Sequence, residues 1–253
     1  LIQAFEKIHI DPKFVAGLAK EIHQNCLFAA ALQASMILKK SPSKVSGNFM
    51  VPVKIDYKNL KNWFPGKNQE DNFEKAKSLW GDSIRPEKKG LVIVGETIKP
   101  SGYLGFWIPV LKGLKGTPLP GAPTAFLKGH GSAVFIDDLP ALADFPKSLQ
   151  KRWHDYLETS FQESMFLSIP LLNEKGKPIA VFTVNSISEP EDGWKRAYHV
   201  EWLELVQKAV APFLALAYAS IVPQKIGNPN FREIECKLKN DFLIKSFMEN
   251  RKK

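Results

Sequence analysis

The chain has 253 residues, 44 % of them hydrophobic and 24 % charged, a balance that excludes an intrinsically disordered chain and allows a sizeable core. Its two cysteines, Cys26 and Cys236, lie far apart, which excludes a disulfide framework or zinc ribbon and suits a reducing, cytoplasmic setting. The net charge of +9 is spread along the sequence instead of gathered in one stripe, so it reads as a solvated lysine-rich surface, with no nucleic-acid partner expected.

The first predicted element is a helix over residues 11–40. Asp11-Pro12 supplies an N-cap and a proline at the first helical position, and Ser41-Pro42 stops it. Phe14, Leu18, Ile22, Ala29 and Met36 fall near one face, while Cys26 to Leu32 is apolar all round. Such a helix is expected to be buried on two sides, against a sheet and against a partner helix or second chain. The apolar stretch Cys26 to Leu38 is too short to span a bilayer, and no signal peptide is visible.

Residues 48–56 read as a strand, although Pro52 forbids a regular central ladder position. Residues 58–89 are polar and lysine-rich, an insertion carrying a short helix over 71–80 and too small for its own core. Residues 90–98 and 103–111 form a predicted hairpin around Lys99-Pro100-Ser101-Gly102. A glycine- and proline-rich loop follows over 112–123, then a short helix over 123–129, a strand over 132–136 and a helix over 146–160. Strands over 165–172 and 178–186 are joined by Asn173 to Lys177 as a second hairpin. A helix over 198–221 should be kinked by Pro212. Residues 230–250 carry Phe231, Ile234, Leu238 and Phe242 at helical spacing. The order predicts an α+β fold, with an antiparallel sheet packed against helices.

Catalytic patterns are absent from the sequence. No phosphate-binding glycine loop is present, and Gly129-His130-Gly131-Ser132 reads as a turn instead of a nucleophile elbow. His23 and Cys26 share a helix at i, i+3 but lack a third ligand, so a buried thiol beside a surface imidazole is expected. No metal site and no enzymatic activity are expected. Asp137 and Asp138 end a strand and point to opposite faces.

Three stretches resemble the GAF family: Leu119 to Asp138, Ser164 to Ser186 and Tyr198 to Ile221, with Asn48 to Val51 fitting its first strand. The resemblance implies a GAF-like, profilin- and PAS-related fold, a central antiparallel sheet flanked by long N- and C-terminal helices. It covers a domain over 1–222 that includes the insertion at 58–89, with 223–253 as a C-terminal helical extension. It implies a sensory or regulatory domain that binds a small molecule and signals through its terminal helices, and because those helices are apolar on more than one face a parallel homodimer is expected. The alternative is a degenerate scaffold with a filled pocket, used for dimerisation or protein interaction. Residues in the family's pocket-forming elements are Phe106, Trp107, Phe126, Asp137, Phe166, Ser168, Phe182 and Ser186. Aromatics mixed with small hydroxyls suit either a small-molecule pocket or a filled core. The cyclic-nucleotide pattern of some members has no match, and no cofactor is named by these residues. A chain opening on Leu1 is also compatible with a membrane tether upstream.

Overall fold

In the computed structural model the described residues are 12–37, 45–54, 67–80, 89–97, 103–135, 142–160, 165–173, 175–186 and 199–221. Expectations for Asp137, Asp138 and residues 230–250 therefore lie outside them. The elements are α1 (Pro12–Ile37), β1 (Val45–Lys54), α2 (Lys67–Trp80), β2 (Lys89–Glu96), β3 (Trp107–Pro109), α3 (Ala122–Lys128), β4 (Ser132–Phe135), α4 (Lys147–Ser160), β5 (Met165–Leu172), β6 (Pro178–Ser186) and α5 (His199–Ile221).

All six strands form one sheet in the order β3-β2-β1-β6-β5-β4, and the described pairings are antiparallel. The fold is thus α+β, a central antiparallel sheet with long N- and C-terminal helices packed on it. Two prolines sit in its interior strands without breaking it, and the registers show why. The β1–β6 ladder ends at Met50–Val181, so at Pro52 only β2 is alongside. The β4–β5 ladder likewise ends at Ser132–Ser168, so at Pro170 only β6 is alongside. Each proline occupies a stretch that is locally an edge, where its missing N–H costs no ladder bond.

Side chains alternate between two faces. Phe49, Phe182, Val184 and Leu167 point to one face, against which α1 and α5 pack while also packing on each other. Gly95 admits α1 closely, since a Cβ there would lie 2.1 Å from His23 Nε2. Asn48, Met50, Phe166, Ser168, Thr183 and Asn185 point to the opposite face. That face is covered by α3 and α4, with α2 alongside α4 and β3.

Several elements differ from the sequence expectation in extent. Helix α2 begins earlier, at Lys67, and buries Phe73, Ala76 and Trp80 in the common core. Strand β3 is only three residues long, because Tyr103 to Phe106 turn, with Gly105 at φ 85° and Phe106 N donating to Tyr103 O at 2.9 Å. Helix α5 runs through Pro212, which is exposed. The carbonyl that Pro212 leaves without a donor belongs to Lys208, also exposed, so water can satisfy it. His23 is buried, at 8 % exposure, and the Cys26 thiol is the half-exposed partner, the reverse of the sequence expectation.

Candidate functional site

A small cleft opens between the sheet and α4, and its floor is polar. Cross-strand registers align Ser132, Ser168, Thr183, Asn48 and Glu96 as successive neighbours on β4, β5, β6, β1 and β2. This transverse belt is buried at Ser168, Thr183, Asn48 and Glu96. Buried polar groups cost free energy unless hydrogen-bonded, so a polar row across the middle of a sheet is a specific expenditure. Part of it is satisfied internally: Ser168 Oγ and Thr183 Oγ1 lie 3.1 Å apart, and Glu96 Oε1 accepts from Tyr103 N at 2.8 Å. Asn185, one pair further along β6, is buried and its Nδ2 has no hydrogen-bond partner among the described residues.

The roof is aromatic. Trp153 and Tyr156, at i and i+3 on α4, line the cleft together with Phe166 from β5. Phe106 stacks on Tyr156, with centroids 5.4 Å apart and planes 11° from parallel. Trp80 of α2 backs both α4 rings at 6.0 Å and 5.6 Å. Trp153 Nε1 is a second buried donor without a described partner. The wall beside α3 exists because Gly121 caps that helix at φ 75° and has no side chain, since a Cβ there would lie 2.6 Å from Phe166. Gly129 closes the helix in the left-handed conformation, donating to Ala125 O at 2.9 Å.

The cleft volume is about 20 Å³, room for one or two waters against the several hundred Å³ of an ordinary ligand pocket. Among the described residues its lining includes no Asp, Glu, His, Cys, Lys or Arg. The described polar groups of the lining are amide, hydroxyl and indole groups on an aromatic frame. Among the described residues no group of three His, Cys, Asp or Glu could hold a metal.

Of the residues singled out from the sequence, Phe166 and Ser168 line the cleft and Phe106 stacks on its roof. Phe182 lies on the opposite face, paired with Phe49 under α1 and α5, and Ser186 ends β6 in register with Val45 and Met165. Trp107 is fully buried and contacts Phe73 at 6.4 Å, away from the cleft lining. Phe126 is half-buried on α3 and not part of the lining. Sequence reasoning passed over Asn48, Thr183 and Asn185. Their signal was the alternation Val181-Thr183-Asn185 within β6, visible only once the face of that strand is known. Trp153 and Tyr156 carried a weaker signal, two aromatics one helical turn apart.

Neither a protein-family model nor a curated protein matches the chain. Among solved structures it is similar to the type II free methionine-R-sulfoxide reductase from Thermoplasma acidophilum, at 13 % identity over 78 % of this chain and 94 % of that one, with a TM-score of 0.33. It is similar also to residues 122 to 287 of a methyl-accepting chemotaxis protein, at 12 % identity over 80 % and 96 %, TM-score 0.36. A GAF domain overlaps at 12 % identity over 77 % and 88 %, TM-score 0.30. Overlaps this loose assign neither an activity nor a ligand. Fold and cleft together define an α+β domain whose sheet carries paired terminal helices on one face and a polar-floored cleft on the other.

Proposed function

We infer that the protein is a non-catalytic regulatory domain of the GAF type, whose cleft binds a small uncharged molecule and whose terminal helices carry the response. The buried polar belt under an aromatic roof is the observation that carries this reading. A core built only for stability would replace such a row with apolar side chains, whereas a ligand with hydrogen-bond acceptors would engage Asn185 Nδ2 and Trp153 Nε1. Binding anything larger than a few atoms requires α4 to move outward. A ligand favouring that arrangement shifts the population toward it. Exposed Ile22, Phe28 and Met36 on α1 and Leu205 and Leu216 on α5 support a homodimer built through these helices. Cytoplasmic placement is part of the same reading.

A second reading, a scaffold whose pocket is filled by its own side chains and which serves dimerisation, draws on the volume of about 20 Å³. Mass spectrometry of the purified chain under native and denaturing conditions separates the two. An added mass that disappears on denaturation is the expected result for the first. A bare chain mass, with no thermal stabilisation by any member of a library of small uncharged compounds, would select the second.

A further inference from the structure

Residues 112–118 form a tight loop on a rigid stem. Leu111 and Leu119 are buried, Leu119 N donates to Leu111 O at 3.2 Å, and Lys112 bridges Pro118. Above them Gly113 N donates to Thr117 O at 2.7 Å and Gly116 N to Gly113 O at 2.9 Å, Gly116 taking φ 81°. The tip is Leu114, 93 % exposed, between exposed Lys112 and Lys115. A leucine on a stiff, anchored loop pays little entropy to be presented, and it is presented to solvent.

The same loop is tied to the start of α4. Leu114 N donates to Asp144 O at 2.9 Å, and three residues of chain place Lys147 within about 11 Å of Asp144. Lys151 lies one turn further along the same helical face, and both lysines are exposed. Asp144 is the only acid among residues 110–121 and 142–151, its Oδ2 buried where a Cβ on Gly113 would fall 2.4 Å away, and the next acid, exposed Asp155, follows one turn beyond Lys151. Two segments thirty residues apart, joined by the Leu114–Asp144 bond, thus carry four exposed lysines on and beside the loop with the exposed apolar tip. The even spread of charge along the sequence conceals this concentration.

We propose that this corner docks on an anionic phospholipid surface, with Leu114 entering the acyl boundary and Lys112, Lys115, Lys147 and Lys151 meeting the headgroups. An aliphatic tip flanked in the loop by lysines, with two more on the adjoining helix, matches the depth profile of a bilayer interface, apolar below and anionic at the surface. Single-stranded nucleic acid is matched less well, because it is held by aromatic stacking platforms and this tip is aliphatic. One leucine and four lysines give weak, reversible attachment that salt reverses, and pairing of two chains would reinforce it.

Co-sedimentation of the full chain with vesicles tests this. Wild type is expected to sediment with vesicles of phosphatidylcholine containing about 30 % phosphatidylserine, hardly at all with phosphatidylcholine alone, and less as salt rises toward about 0.5 M. Leu114→Ser should reduce the bound fraction several-fold, and the combined Lys112→Gln, Lys115→Gln, Lys147→Gln, Lys151→Gln variant should abolish it. All five positions are exposed, so unchanged circular dichroism is expected of both variants. Failure of wild type to sediment at low salt would overturn the proposal. So would binding indifferent to Leu114→Ser, or a single-stranded oligonucleotide bound more tightly than the vesicles.

Discussion

His23 shows how one buried side chain sets a pH limit on the fold. Its ring lies edge-on to Phe49 with centroids 6.2 Å apart, beside Leu27 and the position of Gly95, and neither ring nitrogen has a well-formed hydrogen bond. Burial lowers its pKa from 6.5 to about 4, with the Ala217 backbone pulling the other way. The unfolded chain therefore binds the proton more readily than the folded one. Stability contributed by neutral His23 is complete above pH 6.5 and is lost as pH falls toward 4, by an amount of order 3 kcal/mol at the acid end. Denaturant midpoints should fall between pH 7.5 and 4.5 in wild type, and fall distinctly less in His23→Gln, which does not titrate. Equal pH dependence in the two would reject the assignment. Gly95→Ala tests the same contact sterically. Its Cβ would lie 2.1 Å from His23 Nε2 and 2.7 Å from Leu27, so a loss of roughly 1–3 kcal/mol is expected in equilibrium unfolding.

Among elements, β6 shows most plainly what periodicity conveys and what it withholds. Its strand character was legible in Pro178 to Ser186, and so was the hairpin link. There Asn173 Oδ1 accepts from Lys175 N at 3.0 Å and Lys177 N at 2.9 Å, while Gly176 takes φ 69°. Alternation separated Phe182 from Thr183 but could not say which set faces the cleft, because the set with Phe182 looks as pocket-like as the other. Only pairing with β1 and β5 decides, by putting Thr183 beside Asn48 and Ser168. The length of β3 was hidden for a similar reason: Tyr103 to Leu111 is apolar throughout, and the turn at Gly105 is set by its contact with Ile93. The belt itself carries a prediction. Asn185→Leu removes a buried amide that lacks a partner on Nδ2, so unfolding free energy should stay within about 1 kcal/mol of wild type or rise. Any mass retained in the native spectrum should meanwhile be lost. A strongly destabilised Asn185→Leu would instead make the amide a structural strut.

At the scale of the molecule, cleft and apolar helix surface lie on opposite faces of one sheet, linked through strands whose successive residues serve each in turn. Asn48 and Thr183 floor the cleft, while their neighbours Phe49 and Phe182 bear on the layer of α1 and α5. The outer side of that layer exposes Met36 at 65 %, Leu205 at 53 % and Leu216 at 47 %. Leu205 and Leu216 lie about three turns apart and so share a face of α5. A second copy applied across this surface would bury them. Carboxylates there would instead be desolvated without partners, so Leu205→Glu with Leu216→Glu should weaken self-association at least about tenfold. Sedimentation velocity over a range of concentrations reads this directly, with circular dichroism expected unchanged because both positions are exposed. Wild type that stays monomeric at about 100 μM, or a variant that associates equally well, would remove the dimer from the proposal. If the dimer stands, linkage makes a stricter demand: a cleft ligand that favours one arrangement of the helices must change the dimerisation constant, and dimerisation must change ligand affinity by the same factor.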